Sequence, residues 1–255
     1  MAEIEREIME TAMEAGHILL ENGAEIFRVE ETINRICKHY GVESSNAFVL
    51  SNGIFVTSGS MAEETFAKVQ HIPVSGSHLN RVAAVNQLSR EIEEGRYTIA
   101  EVKAHLEEIR RMPGKSKPMQ ILGAGVGSGA FCYLYGGNLQ DCIAAFLAGL
   151  VLYVFVLYIS SPYLNKMMSN IAGGAVATTV CMILHKLGMG VNLDLMVIGS
   201  IIPLVPGVAF TNAIRDIADE NYIAGSVRMM DALLVFFCIA MGVGLVYTVR
   251  QRIMV

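Results

Sequence analysis

Apolar residues near the start of the chain recur every three or four positions among glutamates. In the first stripe these residues are Ile4, Ile8, Ala12, Ala15 and Leu19. A second stripe with the same spacing runs from Ala24 to Tyr40. Such spacing places apolar side chains on one face of a helix. The pattern predicts two amphipathic helices that meet at a hinge near Asn22 and Gly23.

A strand-like pattern follows the two helices. Residues 45–58 are rich in Val, Phe, Ile and Thr and are interrupted at Ser51-Asn52-Gly53. This arrangement is typical of two strands joined by a tight turn. Residues 65–72 form a third candidate strand.

Two further helices are predicted before the hydropathy changes. One runs over residues 77–90, and the other runs from Thr98 to Arg110, where Thr98 and Glu101 have the spacing of a capping box. The fold class of this part is therefore α+β. A polar linker that contains two prolines, residues 112–118, ends it.

The rest of the chain is dominated by long apolar segments. A bilayer core of about 30 Å requires about 20 largely uncharged helical residues. Five windows approach this requirement: 119–135, 139–159, 168–187, 193–210 and 230–249. We therefore predict an α+β domain over residues 1–118, followed by an all-α membrane domain of about five helices over 119–255.

A glycine-rich string at residues 123–130, GAGVGSGA, superficially resembles a nucleotide-binding loop. It has no following Lys-Ser/Thr pair and lies inside an apolar segment. Because small residues allow membrane helices to approach closely, helix packing is the better interpretation. Gly173 and Gly174 in the third window have the same interpretation.

Composition narrows the function classes. Only 17% of the 255 residues are charged, against about 25% in an ordinary soluble domain. The five cysteines include no CxxC pair, so neither a disulfide framework nor a metal site is indicated. Basic residues do not form a stripe interleaved with aromatic residues, which argues against nucleic-acid binding. We predict no cofactor.

Basic residues in the loops indicate an orientation in the inner membrane. One side of the alternation carries Arg110, Arg111, Lys115, Lys117, Lys166, Arg215 and Arg228, whereas the other carries Lys186. Positive loops face the cytoplasm, so the N-terminal domain is predicted to be cytoplasmic. With five spans, Arg250 and Arg252 would lie outside, against the rule, and the side of the C-terminus stays open.

The segment 202–233 offers the most chemistry, since an apolar stretch with a Pro206-Gly207 break continues into polar residues. A candidate substrate path comprises Pro206, Gly207, Asn212, Arg215, Asp216, Arg228 and Asp231. Broken membrane helices often mark transport sites, although a packing kink is an equal alternative. The charges either staple an interfacial loop, or leave one arginine available for a substrate carboxylate.

The hinge of the N-terminal domain carries a second polar group, which comprises Glu21, Gly23, Glu25, Arg28 and Glu30. An ion-pair network is the simplest interpretation. A hydrolase would need a nucleophile from Ser75, Ser77 or Ser89 with His71 or His78 as base, but no nucleophile elbow is present. A metal site built from His71, His78 and Glu63 or Glu64 has no recognised spacing. We therefore predict that the protein is not an enzyme.

Three strings, in order along the chain, resemble motifs of the threonine/serine exporter (ThrE-type) family. They are LENGAEIFRVEE at 20–31, VNQLSR at 85–90, and PG-xxxx-NAIRD followed by GSVRMMDALL at 206–234. The resemblance spans roughly residues 10–245.

This resemblance implies efflux of small hydrophilic metabolites, with the proton gradient as the driving force. Fused members export threonine and serine, and split members export short dicarboxylates such as succinate. The chain stops without a second set of membrane helices, so it resembles the larger subunit of a split, two-component transporter. A small membrane partner of about four or five helices is expected, in a hetero- or homo-oligomer. The alternative is a membrane-anchored metabolite-sensing or regulatory module.

Overall fold

The chain folds into two compact units. A computed structural model describes residues 2–42, 45–58, 66–72, 78–160 and 163–253. The first unit comprises Met1–Gly114 and Val208–Met229, and the second comprises Lys115–Gly207 and Met230–Val255. The predicted division of the chain at Pro118 into a cytoplasmic and a membrane domain stays a prediction.

Within the described residues, the N-terminal part of the first unit contains four helices. They are α1 (Ala2–Glu21), α2 (Ile26–His39), α3 (Leu79–Glu93) and α4 (Ile99–Arg111). The two predicted amphipathic helices are confirmed by α1 and α2. Gly23, between them, has a φ of +82°, which glycine adopts without steric cost. Thr98 and Glu101 form the predicted capping box at the start of α4, whereas Ser77, the predicted start of α3, lies outside the described residues.

A three-stranded antiparallel sheet packs with these helices. Its strands, in spatial order, are β1 (Asn46–Leu50), β2 (Gly53–Ser58) and β3 (Phe66–His71). Phe48 pairs with Phe55 across the first two strands, which confirms the predicted strand, turn and strand. Ile54 and Val56 of β2 are fully buried in the core that α1 and α2 also form. Thr65, the predicted first residue of the third strand, lies outside the described residues.

The remaining helices follow the linker. They are α5 (Lys117–Leu134), α6 (Leu139–Val154, continued by a π-helix over Phe155–Ser160), α7 (Lys166–Lys186), α8 (Leu193–Ile201, continued by a 3-10 turn over Ile202–Leu204), α9 (Gly207–Ala218) and α10 (Tyr222–Ile253). Most of α9 and the first residues of α10 belong to the first unit. The other helices, and the rest of α10, belong to the second.

Three helices in the described part of the chain are long and apolar enough to cross a membrane. They are Leu139–Ser160, Lys166–Lys186 and Tyr222–Arg252. The number rises to four if Leu193–Leu204 and Gly207–Ala218 are counted as one broken span, bent by 66°. The predicted span over 193–210 is therefore interrupted, because Pro206 cannot donate a helical hydrogen bond and the helix breaks there. The window 119–135 is helical in α5 but does not meet the same requirements.

Small residues bring the helices of the second unit together. A Cβ atom added to Gly125 of α5 would lie 2.6 Å from Leu150 Cδ2 of α6, and one added to Gly129 would lie 3.1 Å from the carbonyl oxygen of Cys142. At Gly174 of α7, the added atom would lie 2.7 Å from the carbonyl oxygen of Ile239 of α10. These contacts confirm helix packing as the role of these glycines.

Candidate functional site

The polar residues of α9 and early α10 lie within the first unit, against the segment that joins α1 to α2. We call that segment, residues 22–25, the α1–α2 hinge. The cluster on the other side comprises Asn212, Arg215, Asp216 and Arg228, and we call it the hairpin cluster. On α9, Ala213 and Asp216 are buried, and the turn into α10 passes through Glu220 with a φ of +65°. The turn returns Arg228 to the face that carries Asp216.

Asp216 forms the centre of the hairpin cluster. Its side chain is 1% exposed, and its Oδ2 accepts a hydrogen bond from Nη1 of Arg228 at 2.8 Å. Its Oδ1 accepts a weaker one from the backbone amide of Ile26 at 3.3 Å. That amide belongs to the first turn of α2, where backbone N–H groups have no helical partner and the helix dipole favours a negative charge. Asp216 therefore acts as a capping residue for α2, supplied from a distant part of the chain.

The backbone carbonyls of the hinge receive hydrogen bonds from the same cluster. Nη2 of Arg228 donates to the oxygen of Ala24 at 3.1 Å, and Nδ2 of Asn212 donates to the oxygen of Gly23 at 2.9 Å. The break between α1 and α2 leaves these carbonyls without helical partners, and a buried carbonyl requires one. The hairpin cluster thus satisfies both the amide and the carbonyl groups that the hinge leaves unpaired.

Glu25 holds two arginines at the edge of this site. Its Oε2 accepts a hydrogen bond from Nε of Arg28 at 2.9 Å, and its Oε1 pairs with Nη1 of Arg215. The arginine side chains are 50% and 51% exposed, whereas Glu25 is 16% exposed. With Asp216 and Arg228, the site contains three arginines and two carboxylates. It therefore carries one net positive charge.

The structure separates the other predicted hinge residues. Glu21 ends α1, and its carboxylate lies 3.8 Å from Nε2 of His17. Glu21 and Arg28 lie on different helices, because α1 ends at Glu21 and α2 begins at Ile26. Glu30 lies farther along α2 and accepts a hydrogen bond from the amide of Val49 at 2.9 Å. Burial raises the pKa of its carboxyl group, and that hydrogen bond opposes the shift.

Asp231 does not join the hairpin cluster. It belongs to the second unit, where its Oδ2 pairs with Nζ of Lys166 at the start of α7. Pro206 and Gly207 also belong to the second unit. Pro206 directly precedes α9, and Gly207 is the first residue of that helix. Neither arginine of the hairpin cluster is unpaired, since Arg215 contacts Glu25 and Arg228 contacts Asp216. Whether these residues form a substrate path stays a prediction.

The hydrolase alternative gains no support from the described residues. Ser89 is 3% exposed, and its Oγ lies 3.5 Å from Nη1 of Arg35. His71 ends β3 and His78 precedes α3. The described part of the chain contains no group of three or more side chains suited to hold a metal ion. Four residues of the alternative assignments lie outside the described residues: Glu63, Glu64, Ser75 and Ser77.

Asp141 is a buried polar residue that the sequence analysis did not single out. It is 1% exposed, and its Oδ1 accepts hydrogen bonds from the amides of Val191 and Asn192 at 2.6 and 2.9 Å. Its Oδ2 accepts from the amide of Asn138 at 3.1 Å. The carboxylate thus ties the loop before α8 to the start of α6. Asn138 and Asp141 have the spacing of a capping box. That spacing is the sequence feature from which a buried role of Asp141 could be inferred.

Comparison with known proteins defines the class. Residues 10–250 match the model of the ThrE family, whose description reads "Putative threonine/serine exporter". The chain belongs to this family. With its long apolar helices, it is a membrane protein of a transport family.

The chain covers very different shares of the lengths of three relatives. It is 22% identical over 245 residues to the threonine/serine exporter of Corynebacterium glutamicum, covering 93% of the chain but only 50% of that exporter. It is 23% identical over 251 residues to "Probable succinate transporter subunit YjjP" of Escherichia coli strain K12, covering 97% and 96%. It is 21% identical over 235 residues to pheromone-regulated membrane protein 10 of Pichia sorbitophila, covering 88% and 23%. No solved structure matches the chain.

Proposed function

We propose that the chain is the larger subunit of a two-component, secondary-active exporter in the cell inner membrane. The exported class is a small hydrophilic metabolite that carries a carboxylate, either threonine or serine, or a short dicarboxylate such as succinate. Support comes from the family and from the near-complete overlap with a protein named as a transporter subunit. The export is driven by an ion gradient and needs no cofactor.

If the exporter has two components, we expect a small partner protein built of membrane helices. The chain overlaps almost completely with a protein named as a transporter subunit, so a second membrane protein is proposed to complete the exporter. The full chain, tagged and purified from its own membranes in a mild detergent, should retain such a partner in a fixed ratio. Purification without any small membrane protein, under conditions that keep the chain monodisperse, would contradict the two-component proposal.

The site geometry supports a specific role for the arginines around Glu25. An arginine guanidinium binds a carboxylate through two parallel hydrogen bonds. Arg28 and Arg215 are half exposed and already engage one carboxylate, that of Glu25. We propose that a substrate carboxylate competes with Glu25 for these arginines. A dicarboxylate would engage both of them, and an amino acid would use one carboxylate and place its ammonium group near Glu25.

The buried part of the cluster has a different proposed role. Asp216 and Arg228 are 1% and 11% exposed, so a substrate cannot reach them without displacing the hinge. They hold α9 and the start of α10 on the α1–α2 hinge. Since α9 begins at the Pro206–Gly207 break, substrate exchange at Glu25 is proposed to act on the helix that follows the break.

Hydrogen bonds within the first unit support a proposal for the membrane topology. Asn212 and Arg228 contact Gly23 and Ala24, so we propose that residues 22–25 and 208–229 lie on the same side of the bilayer. The chain between them therefore crosses an even number of times. Since α6 and α7 are long enough to span, α5 and α8 either both cross or both turn back.

Lys166 favours two crossings before α7. It pairs with Asp231 of α10, so we propose that the start of α7 and this part of α10 face the same side of the bilayer. The chain then crosses at α5 and at α6 to reach Lys166, and again at α7 and α8. The 18 residues of α5 give a length of about 27 Å, close to the bilayer core. With α10, the proposed topology has five crossings, and the two ends of α10 lie on opposite sides of the bilayer.

One observation favours the second candidate function, metabolite sensing. A cavity of about 650 Å³ lies between α1 and α4 and is lined by Glu7, Lys103 and the ion pairs Glu10–Lys68 and Glu14–Arg110. Charges of both signs suit a zwitterion. Binding of an amino acid by the partner-free full chain, lost in Lys103→Gln and kept in Arg215→Ala, would favour sensing. Loss in Arg215→Ala alone would favour the exporter.

A further inference from the structure

A second cavity lies far from the hairpin cluster in sequence, entirely within the second unit. It has a volume of about 600 Å³ and is lined by residues of α7, α8 and α10. It lies at the C-terminal ends of α7 and α10, both of which are long and apolar enough to span a membrane. The cavity therefore lies near one end of two spanning helices, where lipid headgroups meet acyl chains.

The walls of this cavity are mostly apolar. Met182 and Ile183 of α7 form one wall, and Leu245, Val246 and Val249 of α10 form the other. A small hydrophilic metabolite would leave its polar groups unpaired against such a surface, which is costly. An acyl chain would instead cover the surface without any such cost.

Two cations stand at the end of the apolar walls. Lys186 and Arg250 both line the cavity, and neither side chain forms an ion pair with a residue that the structure describes. By contrast, Lys166 in the same unit is paired with Asp231. The carboxylate of Asp194 on α8 accepts a hydrogen bond from the hydroxyl of Tyr247 at 2.8 Å and keeps its negative charge, but it is not part of the lining. In the described part of the chain, the lining thus carries two cations and no carboxylate beside an apolar groove.

His185, the third basic residue that lines the cavity, already has a backbone contact through one ring nitrogen. Nδ1 of His185 lies 3.2 Å from the carbonyl oxygen of Gly190. That contact orients the ring and leaves the anion contacts to Lys186 and Arg250. Basic pockets between membrane helices bind the headgroups of anionic lipids.

We propose that this cavity binds one anionic phospholipid of the surrounding membrane. Its phosphate contacts Lys186 and Arg250, and one acyl chain lies along Leu245 and Val249. Most of the lining is apolar, which favours a lipid with an acyl chain over a free anion. It does not depend on the transported substrate, so it can fail or succeed independently of the exporter proposal.

The test measures lipid retention by the full chain in detergent. Native mass spectrometry counts bound phosphatidylglycerol and, in a parallel titration, bound phosphatidylcholine. We expect preferential retention of phosphatidylglycerol, with about fivefold weaker binding in Lys186→Gln and in Arg250→Gln, since each cation near a headgroup contributes on this scale. Arg252→Gln is the matched control, because Arg252 lies on the same helix end but does not line the cavity. It should bind as the wild type does.

Folding effects and other occupants are distinguished by further measurements. The charge-conserving pair Lys186→Arg and Arg250→Lys should retain the lipid preference, and lipid-free melting temperatures identify any variant that is misfolded. Equal retention of the two lipids, or undiminished phosphatidylglycerol binding in the Gln variants, would overturn the proposal. Displacement of the lipid by millimolar inorganic phosphate or succinate would also overturn it, in favour of a free-anion site. The lipid proposal would also be overturned if a co-purified protein chain, not a lipid, covers the cavity.

Discussion

Arg228 donates a hydrogen bond from Nη1 to Oδ2 of Asp216 at 2.8 Å, and both side chains are largely excluded from solvent. The pair joins α10 to α9, and each partner also contacts the α1–α2 hinge, Asp216 through the amide of Ile26 and Arg228 through the oxygen of Ala24. Two segments almost 200 residues apart in sequence are thereby held together. The pair is thus the structural link between the hinge motif and the NAIRD motif.

Removing the charge of Asp216 should destabilise the first unit. Asp216→Asn leaves Arg228 buried without a counter-ion, and breaking a buried pair in this way costs about 3 kcal/mol or more. Asp219→Asn is the matched control, because Asp219 is exposed in the turn that directly follows the same helix and surface changes usually stay within about 0.5 kcal/mol. Thermal melting of the full chain in detergent measures both. Equal melting temperatures for the two variants would contradict a stabilising role of the pair.

Exchanging the charges of Glu25 and Arg215 separates a structural role from a substrate role. Each single reversal, Glu25→Arg or Arg215→Glu, places like charges together and should lower both stability and efflux. The double variant restores an opposite-charge pair at this half-exposed site, where such pairs contribute about 1 kcal/mol or less. We expect it to regain stability but not efflux, since the arginine no longer lies at position 215. Recovery of efflux in the double variant would show that the pair only staples the loop.

Membrane topology can be tested with cysteines introduced into exposed loop positions. With five crossings, Tyr163→Cys should react from the same side as Glu94→Cys of the first unit. Met189→Cys and Gln251→Cys should react from the opposite side. A membrane-impermeant maleimide applied to intact and to permeabilised cells makes this comparison. Labelling of Met189→Cys from the side of Glu94→Cys, with Tyr163→Cys opposite, would mean that α5 and α8 turn back.

Close contact between α7 and α10 depends on glycine. A Cβ atom at Gly242 of α10 would overlap the carbonyl oxygen of Ile171, whereas one at Gly244 would meet nothing within 4 Å. Gly242→Val should therefore destabilise the second unit by about 1–3 kcal/mol through overpacking. Gly244→Val carries the same change in composition and should melt close to the wild type. Identical melting curves for the two variants would contradict the packing of these helices.

Local features of this chain were accessible from its sequence. The hinge at Asn22 and Gly23, the turn at Ser51–Gly53 and the capping box of Thr98 and Glu101 each depend on neighbouring residues. For that reason, spacing alone predicts them. The helix-packing role of Gly125 and Gly129 was also predictable, since small residues inside an apolar segment have few other uses in a membrane helix.

Long-range pairing was not accessible in the same way. The charges of the hairpin cluster were assigned to loop staples or to substrate binding, because sequence spacing does not record that Asp216 meets Ile26. A hydropathy window also records composition without chain direction, so it joined residues 193–210 across the Pro206 break. The backbone groups that the hinge leaves unpaired require hydrogen-bond partners from elsewhere in the chain. Only the fold identifies Asn212 and Arg228 as those partners.

The most direct test of the account is transport by the reconstituted proteins. Proteoliposomes that contain the chain and its co-purified small partner, loaded with labelled threonine, serine or succinate, are subjected to a proton gradient. We expect gradient-dependent release of at least one of the three compounds when both proteins are present, and loss of that release in Arg215→Ala. Absence of release for all three compounds from vesicles containing both proteins would contradict the exporter proposal. Full release from vesicles containing the chain alone would contradict its two-component form.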